Sequence, residues 1–96
     1  MPMIKPYSLY ILSALAAGEA HAYAIEKQMQ TDVRGAVPIT SRRIYRDLTR
    51  LLQQGLIAEA SDARPARYRL TTLGRRLLVA ERERALHTYR ILQERL

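Results

Sequence analysis

Cysteine is absent from the 96 residues, which excludes disulfides, thiol redox sensing, cysteine-ligated zinc and a cysteine nucleophile. Tryptophan and phenylalanine are absent too, so an aromatic-lined cavity could be built only from the six tyrosines. Glycine and proline number four each, and no low-complexity tract, internal repeat or interdomain linker interrupts the chain. Acidic residues are scarce, nine against 16 lysines and arginines, which leaves a net charge of +7 and a pI near 10.4. No apolar run approaches the roughly 20 residues of a membrane span. The opening MPMIKPYSLYILSALAAGEA carries too little positive charge ahead of its apolar part to read as a secretory signal. The expectation is a soluble, cytoplasmic protein with no membrane partner, whose basic charge suits a polyanion. At this size one domain buries a modest core, so a second copy of the chain is an expected partner.

The residues present fall into a periodic order. From Tyr7 to Ala17, Tyr7, Tyr10, Ile11, Ala14 and Leu15 recur at steps of three and four, and Gly18 offers a helix-ending turn. Ala22, Ile25 and Met29 repeat that spacing in a second helix, expected to end before a loop from Thr31 to Pro38. A third helix is expected from Thr40, its N-cap, with Ser41 as the alternative cap, to Gly55. Leu56 to Ala60 and Arg67 to Leu70 read as strands joined by the turn SDARPA, forming a β-hairpin with an arginine-rich tip. Thr71 can cap a last helix from about Thr72 to Leu96, roughly 37 Å long. Its first part is expected to bury Leu73 and Leu77 on the domain. Ala85, Tyr89, Leu92 and Leu96 follow a 4,3,4 spacing suited to another helix, broken where Arg82 stands in for an apolar residue.

On a wheel of about 100° per residue, Ile44, Leu48, Leu51 and Leu52 share one side of the third helix. Arg42, Arg46, Thr49 and Gln53 cluster opposite, with Arg43 and Arg50 beside them. Between Arg42 and Arg76 stand nine arginines and three acids, a surplus of +6 out of the total +7. A merely solvated face would mix signs more evenly. The expected fold is mainly α with a small β-hairpin: a winged helix-turn-helix with a long C-terminal dimerisation helix. Residues 1–72 form the DNA-binding domain and 73–96 the dimerisation helix. In that arrangement the third helix enters the major groove and the hairpin wing touches neighbouring backbone. Arg42, Arg43, Arg46 and Thr49 are the expected base readers. Thr40, Ser41, Tyr45, Arg50, Arg64, Arg67 and Arg69 are the expected phosphate contacts. Tyr45, at the edge of the apolar sector, is equally suited to half-buried packing.

No catalytic constellation stands beside this. His21 and His87, the two histidines, lack a carboxylate cluster and read as capping or packing residues, and the hydroxyls near Thr40 have no base at a recognisable spacing. Neither a metal nor a cofactor is expected.

Three motifs carry a resemblance. HAYAI (21–25), IYRDLTRLLQQGLI (44–57) and YRLTTLGRRLL (68–78) stand in the order and spacing of the PadR family of bacterial transcriptional regulators. The family has Gly and Glu where Ala22 and Ala24 stand, often has small residues where Arg42 and Arg43 stand, and usually has a glycine in the wing. The resemblance implies a homodimer joined through the last helix, repression of a promoter, and release of DNA on binding a small aromatic or lipophilic effector. With no Trp or Phe, the effector pocket would use Tyr7, Tyr10 and Tyr89. The favoured reading is therefore a sequence-specific, homodimeric repressor on double-stranded DNA with an inverted-repeat operator. The competing reading is a winged-helix module that binds nucleic acid without sequence preference or docks on an acidic protein partner.

Overall fold

The computed structural model describes residues 4–62 and 64–96, and these form four α-helices and a three-stranded antiparallel sheet. α1 spans Pro6–Ala16, β1 Ala20–His21, α2 Ala22–Val33, α3 Ser41–Gln53, β2 Ile57–Glu59, β3 Arg67–Leu70 and α4 Thr72–Arg95. The core gathers Ile11, Leu12 and Leu15 of α1, Ile25 and Met29 of α2, Ile44, Leu48 and Leu51 of α3, and Ile57 of β2, all fully buried. The helical spacing assigns these positions to the inner faces, apart from Leu12, which it does not single out, and Ile57, which stands in a strand.

Two elements depart from the sequence reading. α2 runs to Val33, past the expected start of its loop. Gln28 donates to Asp32 at 2.9 Å, Thr31 donates to the Lys27 carbonyl at 3.3 Å, and Val33 is buried, so the last turn is held from both faces. The sheet also has a third strand. β3 lies between β2 and β1, with Ile57 opposite Leu70 and Glu59 opposite Tyr68 on one side, and Ala20 opposite Tyr68 on the other. The turn expected over residues 61–66 includes Ala63, which lies outside the described residues.

Thr40 is the cap of α3, its hydroxyl oxygen accepting the Arg43 N–H at 3.2 Å. Ser41, the alternative cap, donates its hydroxyl to the Glu26 carboxylate at 3.1 Å. α3 gives way to β2 through Gly55, at φ +73°, a left-handed turn that a side chain would resist. Thr71 then locks α4 onto that turn: its hydroxyl donates to the Gly55 carbonyl at 2.7 Å and accepts from the Gly74 N–H at 3.0 Å. Gly74 is required there, because a Cβ would run into the Leu56 carbonyl oxygen. Leu77 is buried as expected, but Leu73 is 53% exposed; Gly74, not Leu73, makes the close approach. Beyond Glu81 almost every side chain of α4 is exposed, and the molecule measures 50 × 29 × 21 Å, long where this helix projects.

Candidate nucleic-acid interface

α3 turns one face inward and a basic ridge outward. Arg42, Arg46 and Thr49 are exposed on that ridge, Arg46 with 68% of its side chain in solvent. Thr49 donates its hydroxyl to the Tyr45 carbonyl at 3.0 Å, so toward a base edge it can only accept. Thr40 accepts the capping bond and retains its hydroxyl proton for a phosphate. In β3 the side chains alternate. Tyr68 is buried, while Arg67 and Arg69 share the exposed face, and Arg64 is exposed just before Pro65.

Tyr45 is 57% exposed, more open than an edge position suggests. With Tyr23, His21 to Ala24, Pro65, Ala66 and Tyr68 it lines a groove of about 270 Å³ where α2, α3 and the wing meet. His21 stands at the N-cap position of α2 without a side-chain capping bond; its Nδ1 lies 3.0 Å from the Ala66 carbonyl and ties α2 to the wing. Burial pushes the Tyr68 phenol above its ordinary pKa of 10.0, helped by the negative charge of Glu59. It is a neutral hydroxyl in this site at physiological pH.

Three expected site residues are turned to other tasks. Arg43 does not face outward with Arg42 and Arg46: its guanidinium lies 3.8 Å from the centre of the buried Tyr7 ring, and its Nε is buried with no hydrogen-bond partner among the described residues. Here it packs rather than facing out with the ridge, because the Tyr7 face offers the cation a shielded surface at the edge of the core. Arg50 bonds the Asp47 carboxylate at 2.6 Å, which occupies the cation meant for a phosphate. Ser41 gives its proton to Glu26 and cannot donate it to a phosphate as well.

Asp47 is the residue that the sequence reading missed as a site residue. It is the one acid in α3, it is 2% exposed, and Arg46 Nε lies 3.9 Å from the same oxygen that Arg50 holds. The wheel contains the signal: Asp47 falls about 60° from Ile44, on the flank of the apolar sector, with Arg43 and Arg50 one turn to either side.

The expected tyrosine pocket does not form within the chain. Tyr7 is buried beneath Arg43, its phenol raised above 10.0 chiefly by desolvation. Tyr10 lines a separate apolar groove of about 350 Å³ between α1 and α4 with Pro6, Leu9, Leu78 and Arg82. Tyr89 is 59% exposed far along α4. The three serve three different surroundings: core, groove and projecting helix.

Helix, turn and basic helix followed by a hairpin and a long helix define a winged helix-turn-helix protein. The chain belongs to the transcriptional regulator PadR-like family, whose model matches residues 11–80. No curated protein matches the chain. Solved structures share its fold. H. salinarum RosR superposes with a TM-score of 0.78 at 21% identity, over 88% of this chain and 76% of that one. A transcriptional regulator from Clostridium thermocellum gives 0.73 at 22% identity, over 91% and 89%. Bacillus subtilis PadR in complex with operator DNA gives 0.69 at 22% identity, over 79% of this chain and 46% of that one.

Proposed function

We propose that this regulator binds double-stranded DNA as a homodimer, reads an inverted-repeat operator with α3, and represses the promoter that contains it. The observation that carries the reading is the outward ridge of Arg42, Arg46 and Thr49 on a helix capped and braced into the core, beside a wing that exposes Arg67 and Arg69 on one face. An arginine on a rigid helix can present two parallel donors to guanine, whereas arginines on a strand edge suit phosphate. Tyr45 and Thr40 flank the ridge as hydroxyl donors. The operator complex of Bacillus subtilis PadR supports a DNA partner for this fold. An enzyme reading has no support from the family, which is one of transcriptional regulators.

Residues 1–72, with the first turns of α4, form the DNA-reading unit, and the rest of 73–96 joins two copies. Supporting this, Tyr89, Leu92 and Leu96 are 59%, 50% and 101% exposed, and Ala85 is exposed on the same stripe. Burying such a stripe against its copy removes apolar surface from water. A two-fold pair would present α3 twice, to half-sites about one helical turn, roughly 34 Å, apart. The Tyr10 groove, apolar and wedged between α1 and α4, is the place for a small aromatic or lipophilic effector, where it would alter the pose of the joining helix. No helix among the described residues is long and apolar enough to cross a membrane, and action on DNA places the protein in the cytoplasm.

The test is selection of binding sites from a randomised duplex library with the purified protein. Enrichment of an inverted repeat supports the reading. Retention of duplexes without any enriched sequence would favour the architectural alternative.

A further inference from the structure

We infer that Asp47 is a positioning residue that withholds Arg50 from DNA and thereby sets how many phosphates each chain neutralises. The inference rests on the DNA-binding reading above and deepens it. Asp47 stands on the very helix proposed to meet a polyanion, yet its carboxylate is 97% withdrawn from solvent at the side-chain level and bonded to Arg50 at 2.6 Å. A carboxylate on the outer face of α3 would repel phosphate; set on the inner flank it acts on cations from behind. Arg50 keeps 37% of its side chain in solvent, so it lies at the margin of the ridge and could reach outward if released. Release is unfavourable. Moving Arg50 to a phosphate would leave a buried carboxylate without its hydrogen-bonded partner and with only Arg46 Nε at 3.9 Å, which costs more than a solvent-screened phosphate contact returns.

The same oxygen lies 3.9 Å from Arg46 Nε, the inner edge of that guanidinium. The terminal nitrogens of Arg46 are the ones needed for the two bonds to guanine O6 and N7, and an attraction at Nε leaves them outward. Asp47 thus divides the arginines of α3. Arg42 and Arg46 meet DNA, Arg50 neutralises the acid, and Arg43 is held by Tyr7. The apparent charge of the helix overstates what DNA meets.

The experiment measures the salt dependence of binding to a random-sequence duplex. Each additional phosphate contact steepens the logarithmic slope by about 0.9. Two double variants of equal net charge separate release of Arg50 from a simple gain of charge. Asp47→Asn with Arg90→Gln frees Arg50 and removes a cation on the face of α4 away from the Leu92 stripe. Asp47→Asn with Arg50→Gln removes the freed cation itself. The first should steepen the slope by about 0.9 per chain, an extra loss of about 3.5-fold in affinity over a fourfold rise in salt. The second should match the wild type. Equal slopes for the two variants would overturn the inference, although the DNA-binding reading would stand. Failure of the wild type to bind any duplex would overturn both. A measurement on the wild type covers loss of folding in the variants: the Arg50 side-chain N–H resonances should keep their positions when the duplex is added, and movement of the kind expected of Arg46 would refute the pairing.

Discussion

Replacing Arg43 with alanine separates the two tasks an arginine can perform on α3. In the structure the Arg43 guanidinium stacks at 3.8 Å on Tyr7, a ring that is 3% exposed, so the contact is largely desolvated. A cation on an aromatic face in such surroundings contributes about 2 kcal/mol, and the aliphatic stem adds apolar contact. Against this, alanine removes a buried Nε that has no hydrogen-bond partner among the described residues, which returns about 1 kcal/mol of desolvation cost. The net expectation is a loss of about 1 to 2 kcal/mol, or roughly 5 to 15 °C in melting temperature for a domain of this size. Thermal unfolding followed by circular dichroism at fixed protein concentration reads it. The same variant, at a temperature where it is folded, should keep the wild-type base preference. An unchanged melting temperature together with a flattened preference would refute the placement of Arg43 and return it to the base readers.

Other positions give sharp expectations. Gly74→Ala drives a methyl into the Leu56 carbonyl and should destabilise by about 1 to 3 kcal/mol, seen as a lower urea midpoint; an unaffected midpoint would mean that α4 does not approach Leu56 as described. Leu92→Lys puts a charge into the exposed stripe of α4 and should yield monomers by analytical ultracentrifugation, whereas a wild type that sediments as a monomer at micromolar concentration would end the dimer proposal. Tyr7 and Tyr68 both have phenol pKa values raised above 10.0 by burial, so the folded state holds their protons more tightly than the unfolded chain. Their contribution to stability is therefore complete below pH 10 and is lost as pH rises through the raised values; Tyr7→Phe should blunt the alkaline fall measured by denaturant titration.

Much of this architecture was legible because it depends on local chemistry. Thr40 and Thr71 cap as their hydroxyls dictate, Gly55 turns where a left-handed residue is needed, and the three-four spacing of Ile44, Leu48 and Leu51 names the buried side of α3. β1 was not legible, since two residues carry no periodicity and Ala20 and His21 become a strand only because β3 is there to pair with them. The end of α2 differs from the sequence expectation for a related reason: Thr31 and Asp32 resemble loop residues, and only their bonds to Lys27 and Gln28 hold them in the helix.

The site was legible in its elements and less so in its side chains. A wheel places Arg43 and Arg50 beside the ridge, but whether a long cation turns out or in depends on what the neighbouring elements offer it. Here α1 offers Tyr7 and α3 itself offers Asp47. Ser41 was drawn off by Glu26 across the α2–α3 contact, 15 residues away in sequence. Arg42, Arg46, Arg67 and Arg69 are exposed as the alternation and the wheel require, Arg46 with only its Nε near Asp47, at 3.9 Å. The separate locations of Tyr7, Tyr10 and Tyr89 follow from packing as well, because a shared residue type carries no information about shared surroundings.

The central claim is that α3 reads sequence while the wing grips backbone, and the most direct measurement compares Arg46→Ala with Arg67→Ala on the duplex enriched by the wild type and on a random duplex. Arg46→Ala should cost about 1 to 3 kcal/mol on the enriched site and flatten the preference at one base pair of each half-site, whereas Arg67→Ala should weaken both duplexes alike. Unchanged affinity and preference after Arg46→Ala would contradict the assignment of α3 as the reading helix.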